Sequence, residues 1–320
     1  MTQSAITAAP LERETIIWVV SDGRRGIENQ ALGLAEAIAA ELGGTPLIER
    51  VIARKDRYVT LPDSAAPDIW IGCGRAAIPL ARKHGQIFPD TYFVYVQDPR
   101  GHYRDFDMIV APDHDRLRRD NAIAMLGSPN RISQDQLDQA MAAFSGEIEA
   151  LPGPRAAILI GGDSKRYKLN ETICDYLVKR LDSLLDQNIS LMVTVSRRTP
   201  KSARERLAQA LKTRPRVWYH EGDGPNPYFA FLAAANWIFV TEESTNMLVE
   251  AATVGKPVYA LPMSGTPGKF GYLHAALEGH GALKPYLGQL ERWTYPKLAE
   301  TARIAHLLIE DWQARRGDPC

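Results

Sequence analysis

Three segments place glycines, hydroxyls and bases where an anion could be held. Gly161-Gly162-Asp163-Ser164-Lys165 follows the apolar run 156–160. Two glycines after a buried strand let backbone approach a ligand closely. A helix N-terminus beyond them offers free N–H groups and partial positive charge, which suits phosphate. The same pair would also serve a tight strand–helix turn needing positive φ. The spacing is not that of a Walker A loop. Ser196-Arg197-Arg198-Thr199 follows the run 191–195; two fixed cations at a strand end can pair bidentately with phosphate, or form a solvated basic turn. The third segment opens as Thr241-Glu242-Glu243-Ser244-Thr245-Asn246 and runs through Glu250 to Gly255-Lys256-Pro257-Val258. Ser244 is a good helix N-cap. Hydroxyl and amide groups of Thr245 and Asn246, with free N–H groups, could hold a pyrophosphate. Glu250, six residues beyond Ser244, could accept both hydroxyls of a ribose; the alternative is a capped helix with Glu250 on a solvated face.

The N-terminal half offers acids and bases of another kind. Asp22, in Ser21-Asp22-Gly23-Arg24-Arg25-Gly26, sits just past the first apolar run, and Asp98 follows the run 92–96 in Gln97-Asp98-Pro99-Arg100. Either carboxylate could take a proton from an acceptor hydroxyl, and either could instead cap a turn. Arg24, Arg25 and Arg100 could hold an anionic acceptor such as a lipid phosphate, with Gln30 as a contact at a helix start. Gly72-Cys73-Gly74-Arg75-Ala76-Ala77 matches the dinucleotide fingerprint G-x-G-x-x-A, but it does not follow the first strand. Asp105-Phe106-Asp107 and Asp113-His114-Asp115 are both D-x-D, a spacing that can hold a divalent metal and that is common by chance. The seven histidines show no zinc pairing, so no metal is expected. His114 remains a candidate on the acceptor side.

Two resemblances follow from these motifs. The pattern of Ser244, Asn246, Met247, Glu250, Ala251, Gly255, Lys256, Pro257 and Val258 resembles the donor segment of GT-B glycosyltransferases, such as the enzyme that adds N-acetylglucosamine to the lipid-linked peptidoglycan precursor. Gly161, Gly162 and Ser164 resemble the loop opening their C-terminal domain. The resemblance implies that the segment grips nucleotide-sugar phosphates and that Glu250 holds the ribose. It also implies that a Gly-rich turn such as Gly72–Gly74 lines the acceptor cleft. Across almost the whole chain, Val20-Ser21-Asp22-Gly23-Arg24 with Gly26 and Gln30, Gln97-Asp98-Pro99, Gly161-Gly162, Ser196-Arg197-Arg198-Thr199 and Lys269-Phe270 resemble the mitochondrial-fission (elongated mitochondria) family, which is GT-B-like and common in bacteria.

The elements that must position these residues can be read from periodicity. Short, mostly non-alternating apolar runs occur at 16–20, 68–71, 92–96, 108–111, 123–126, 156–160, 191–195, 217–219, 237–240 and 257–261, as expected of strands buried on both faces. Residues 28–42, 134–149, 170–187 and 298–312 carry helical spacing. Strand–helix alternation predicts an α/β fold with parallel sheets. Pro152-Gly153-Pro154 marks a boundary. The expectation is two Rossmann-like domains, 1–150 on the acceptor side and 151–320 for the nucleotide-sugar, facing a central cleft, with the last helix crossing back. Trp218, Tyr219 and Trp237 are expected in the core.

Composition bounds the class. The 320 residues carry 38 bases and 38 acids, a formal net charge of zero, with 45% hydrophobic and 24% charged residues. This argues against nucleic acid or membrane as a partner held by charge alone, while leaving room for a local basic site. Cys73, Cys174 and Cys320 form neither a disulfide framework nor a zinc spacing, which points to a reducing compartment. Residues 1–14, with Glu12 and Glu14, do not read as a signal peptide, and the longest apolar stretch, 228–240, is too short to span a bilayer. The combined expectation is a cytoplasmic GT-B-like transferase. It would move a sugar from a nucleotide-diphosphate donor to an acceptor hydroxyl, with no cofactor. A lipid-linked acceptor would bring peripheral contact with the inner face of the membrane. A nucleotide-sugar epimerase, a non-catalytic adaptor and a nicotinamide oxidoreductase are the alternatives.

Overall fold

The computed structural model describes residues 14–43, 45–54 and 61–317; Glu12, Cys320 and most of the segment read as lacking a signal lie outside the described residues. In chain order the elements are β1 (Ile16–Ser21), α1 (Arg25–Leu42), β2 (Leu47–Ile52), β3 (Ile69–Cys73), α2 (Ile78–Ile87), β4 (Tyr92–Val96), β5 (Met108–Pro112), β6 (Ala122–Met125), α3 (Gln134–Ala143), α4 (Ser145–Ala150), β7 (Arg155–Ile160), β8 (Tyr167–Lys168), α5 (Glu171–Asp186), β9 (Ser190–Val195), α6 (Lys201–Leu211), β10 (Val217–His220), α7 (Tyr228–Ala234), β11 (Trp237–Thr241), α8 (Thr245–Val254), β12 (Val258–Leu261), β13 (Ser264–Gly265), α9 (Phe270–Gly279), β14 (Leu283–Pro285) and α10 (Glu300–Arg316). The chain divides into two compact units, Met1–Ile109 with Ile304–Cys320, and Val110–Arg303.

Two six-stranded sheets organise these elements, in the orders β2-β1-β3-β4-β5-β6 and β10-β9-β7-β11-β12-β14. The pairings β1·β2, β1·β3 and β3·β4 in the first, and β9·β10, β7·β9, β7·β11, β11·β12 and β12·β14 in the second, are parallel. In each sheet the winding direction reverses next to the first strand: between β1 and β3, and between β7 and β11. Loops at such switch points, beyond the strands' carboxyl ends, are where ligands of open α/β sheets bind.

Burial explains why the strand runs do not alternate. Along β7, Ala157 and Leu159 join a cluster with Phe231, Leu248, Val249 and Leu273 from α7, α8 and α9. Ala156, Ile158 and Ile160 join another with Leu177, Leu181 and Leu207 from α5 and α6. Both faces of the sheet are covered by helices, so both sets of side chains must be apolar. Trp237 lies in the core, and Trp218 packs edge-on against Phe231 at 4.7 Å. In the first unit Trp70 Nε1–H donates to His84 Nδ1 at 3.0 Å, with Trp18 edge-on to the same ring. Burial pushes the His84 imidazole down to about 4, so it stays a neutral core acceptor.

The ten expected strands are present. β2 and β14, and the small antiparallel pair β8·β13, were not expected. β2 is an edge strand, Leu-Ile-Glu-Arg-Val-Ile, with only Val51 buried, so it carries no continuous apolar run. The Gly161-Gly162 loop does not run straight into a helix as expected. β8 intervenes, and α5 begins only after its N-cap Asn170, whose side chain accepts from Ile173 N–H at 3.0 Å. Among the described residues, no helix is long and apolar enough to cross a membrane.

Candidate functional site

The second sheet brings the three segments read as candidate anion sites together at its switch point. β9, β7 and β11 are neighbours, so the loops after them meet. Gly161 N–H donates to Thr241 Oγ1 at 2.8 Å, and Gly162 N–H donates to Glu243 Oε1 at 2.8 Å. Thr199 Oγ1–H donates to the Gly161 carbonyl, and Asp163 N–H to the Arg198 carbonyl at 3.3 Å. A Cβ on Gly162 would lie 2.2 Å from the Arg198 carbonyl carbon and oxygen, and one on Gly161 would lie 1.7 Å from Glu243 Oε1. The glycines are therefore required by close packing of three loops, and neither needs positive φ. Their amides are engaged within the protein and are not open to a ligand.

Those groups are cationic and hydroxylic. Arg197 and Arg198 are exposed, and Arg198 reaches Glu243 Oε1 at 3.6 Å. Ser196 Oγ accepts Arg198 N–H at 3.1 Å, while Arg204 donates to the carbonyls of Thr199 and Ser196 and fixes the loop from below. Ser164 Oγ accepts the N–H groups of Arg166 and Tyr167, closing a turn that leaves Lys165 exposed. Lys168 holds the Asp163 carboxyl below the usual range. Glu243 is fully buried; burial raises its carboxyl, and bonds from Thr241, Gly162 and Arg198 only partly offset this.

Helix α8 starts where the sequence placed it. Ser244 is its N-cap, but the Ser244 side chain makes no capping bond. Thr245 and Asn246 occupy the first turn, and Asn246 Oδ1 accepts from Ser128 Oγ at 3.3 Å. Glu250 is not on a solvated face. It is half-buried, and Tyr228 O–H donates a short bond to its Oε2. Burial pushes the Glu250 carboxyl up to about 7, against the lowering effect of Tyr228. Six residues on, Lys256 Nζ donates to the carbonyls of Leu232 (3.2 Å) and Ala233 at the other end of α7. The spacing from Glu250 to Lys256 thus grips α7 at both ends. The Lys256 cation at the C-terminal carbonyls matches the helix dipole. Tyr228 and the role of Lys256 were missed in the sequence, because the α7 partner is a separate apolar run with no motif of its own.

In the other unit, Asp22 and Gly74 meet at the first sheet's switch point: a Cβ on Gly74, whose φ is +86°, would lie 3.5 Å from Asp22 Oδ2. Gly72 gives way to the Trp70 ring, 2.3 Å from where a Cβ would stand. Arg24 clamps Asp22 through Nε (2.9 Å), a second guanidinium nitrogen (2.7 Å) and its own N–H (3.1 Å). Burial alone would raise the Asp22 carboxyl; Arg24 outweighs it and holds the group below the usual range. Gln97, at φ +91°, donates from Nε2 to Gln30 Oε1 at 3.0 Å. Asp98 Oδ1 accepts Arg100 N–H at 2.7 Å. Arg25 and Arg100 are exposed.

The D-x-D carboxylates are tied elsewhere. Asp105 pairs with Arg82, Asp107 accepts from Phe93 N–H and Arg315, Asp113 pairs with Arg118, and Asp115 pairs with Lys269. Among the described residues no group of three or more His, Cys, Asp or Glu is placed to hold a metal. Cys73 and Cys174 are buried free thiols.

A family model described as "Mitochondrial fission ELM1" matches residues 25–312. The chain belongs to the mitochondrial fission ELM1 family. It is 27% identical over 311 residues to the mitochondrial fission protein ELM1 of Arabidopsis thaliana, covering 89% of this chain and 71% of that one. The fold is similar to that of UDP-GlcNAc 2-epimerase from Methanocaldococcus jannaschii, with TM-score 0.56 and 11% identity over 92% of this chain and 99% of that one. The same enzyme solved in complex with UDP-GlcNAc and UDP matches with TM-score 0.55 and 13% identity, over 92% and 99% of the two chains. The architecture is GT-B-like: α/β, with two parallel, Rossmann-like sheets.

Proposed function

We propose that this ELM1-family protein binds a nucleotide-diphosphate sugar through the Val110–Arg303 unit and transfers the sugar to an acceptor hydroxyl. The observation that carries the proposal is the knot of three loops at the β7/β11 switch point. Two exposed arginines, Lys165 and an N-terminus of α8 without a side-chain cap surround a buried backbone core there. In this reading Arg197, Arg198, Lys165, Ser164, Ser196, Thr245 and Asn246 face the diphosphate. Gly161, Gly162, Thr199, Glu243 and Ser244 shape the loops that present them. Glu250, with one oxygen held by Tyr228, offers the other to the ribose.

Chemically, the acceptor oxygen forms a bond to the anomeric carbon, and the bond from that carbon to the diphosphate oxygen breaks. The electron pair leaves with the diphosphate, where fixed cations and helix N–H groups stabilise it without reorganising. The acceptor proton goes to Asp98 or Asp22, with Arg24, Arg25, Gln30, Gly72, Gly74 and Arg100 on the acceptor side. Asp22 is the poorer base of the two, because Arg24 already stabilises its charged form. A lipid-linked acceptor would place the protein against the inner face of the cytoplasmic membrane.

Calorimetry with UDP and UDP-GlcNAc tests the donor site, and Arg197→Ala with Arg198→Ala should weaken both ligands at least tenfold, since charge-assisted bonds are each worth about 1.5–3 kcal/mol. Binding unaffected by the double substitution would move the diphosphate elsewhere. Turnover of donor alone to an epimer would replace transfer with epimerisation.

A further inference from the structure

Two motifs with no role in the diphosphate site meet inside the Val110–Arg303 unit. One is the turn Asp113-His114-Asp115 after β5; the other is Lys269-Phe270 at the start of α9. Lys269 Nζ pairs with Asp115 Oδ1 at 2.5 Å, and Phe270 lies edge-on to the His114 ring at 5.6 Å. Beside them, Arg116 stacks over Tyr272 at 4.0 Å. The turn and the helix are thus joined by an ion pair, a ring contact and a cation–π contact.

One nitrogen of the His114 imidazole at this junction lacks a hydrogen-bond partner. Its side chain is only 9% exposed, and Nδ1 is buried with no partner. Nε2 lies 3.6 Å from Asp115 Oδ1, beyond hydrogen-bond length, and Lys269 pairs with the same oxygen. Burial lowers the imidazole's affinity for a proton; Asp115 opposes this and Lys269 adds to it. A neutral ring with Nε2–H toward Asp115 leaves Nδ1 as a buried acceptor that nothing satisfies. Such an atom is destabilising and calls for a ligand.

Helix α9 connects this ring to the donor loop. His274, four residues after Phe270 and so on the same helix face, donates from Nε2 to the Glu242 carbonyl at 2.8 Å. Glu242 Oε1 in turn accepts Met263 N–H at 2.7 Å. One face of α9 therefore holds the loop before α8 through His274 and the His114 ring through Phe270.

We infer that His114 is a sugar-binding residue of the donor site, its Nδ1 accepting a hydrogen bond from a hydroxyl of the nucleotide-linked sugar. The inference rests on the nucleotide-sugar reading above, and it takes His114 from the acceptor side to the donor side. Phe270, edge-on to the ring, is the side chain that must give as the hydroxyl arrives.

The test is nitrogen NMR on full-length protein labelled with ¹⁵N-histidine, the His114 signals being identified by their loss in His114→Phe. Saturating UDP-GlcNAc should move the Nδ1 resonance upfield as its lone pair takes up a hydrogen bond, whereas saturating UDP should leave it in place. His114→Phe, which keeps a ring against Phe270, should weaken UDP-GlcNAc about five- to tenfold, the value of one hydrogen bond, and leave UDP within about twofold. Equal responses to both ligands, or none while both saturate the protein, would overturn the sugar-binding role alone. Failure of UDP, UDP-GlcNAc and other nucleoside diphosphates and their sugars to bind at all would overturn the nucleotide-sugar reading and this inference with it.

Discussion

Glu250 provides a quantitative handle on the donor segment through the pH dependence of stability. Its carboxyl, ordinarily at 4.5, is pushed up to about 7 by burial against Tyr228. At about 1.4 kcal/mol per tenfold change, this corresponds to roughly 3 kcal/mol between the two protonation states. Below about pH 4.5 the group is protonated in both folded and unfolded chains, and no penalty exists. As pH rises toward 7 the unfolded chain ionises first, so folding stability falls; above about 7 both forms are ionised and the loss is complete. Glu250→Gln removes this titration while its amide oxygen can still accept from Tyr228 O–H. Urea unfolding of both proteins, followed by tryptophan fluorescence from about pH 4 to pH 8, isolates the group in the difference curve. The variant should gain roughly 3 kcal/mol on the wild type across that interval, on top of a pH-independent offset. A difference curve flat in pH would show that Glu250 is not the buried, Tyr228-bonded acid described.

Other consequences are simpler. Gly162→Ala should cost about 1–3 kcal/mol by overpacking, because its Cβ would meet the Arg198 backbone at 2.2 Å and not a movable side-chain tip; equilibrium unfolding measures it. His84→Leu should cost about 1–3 kcal/mol by leaving the buried Trp70 N–H unpaired, and His84→Gln, which can still accept, should cost less. Arg24→Ala should raise the Asp22 carboxyl, measured by carbonyl NMR titration, because the guanidinium that offsets burial is gone.

The fold was legible wherever one rule decided the residue type. Strands covered on both faces must be apolar throughout, so the ten runs were visible. The edge strand β2, with Glu49 and Arg50 in its middle and one buried side chain, had no such constraint and left no signal. The meeting of the candidate site's loops was legible. Gly161-Gly162, Ser196–Thr199 and Thr241–Asn246 do meet, because β9, β7 and β11 are neighbours. What those groups do there depended on partners far along the chain. Gly162 donates to Glu243, 81 residues away, and makes room for the Arg198 backbone, 36 residues away, while Glu250 is bonded to a tyrosine 22 residues earlier. The meeting of Asp115 with Lys269 spans 154 residues. Local spacing carries no information about contacts of that range, so the carboxylates that looked like a metal motif turned out to be held by separate cations.

The central claim is that the knot of loops at the β7/β11 switch point binds a nucleoside diphosphate. Isothermal calorimetry of the full-length protein with UDP tests it most directly, repeated with the Arg197→Ala, Arg198→Ala double variant. Saturable binding that weakens at least tenfold in the variant is the expected result; no heat of binding at millimolar UDP, or other nucleoside diphosphates, would contradict it.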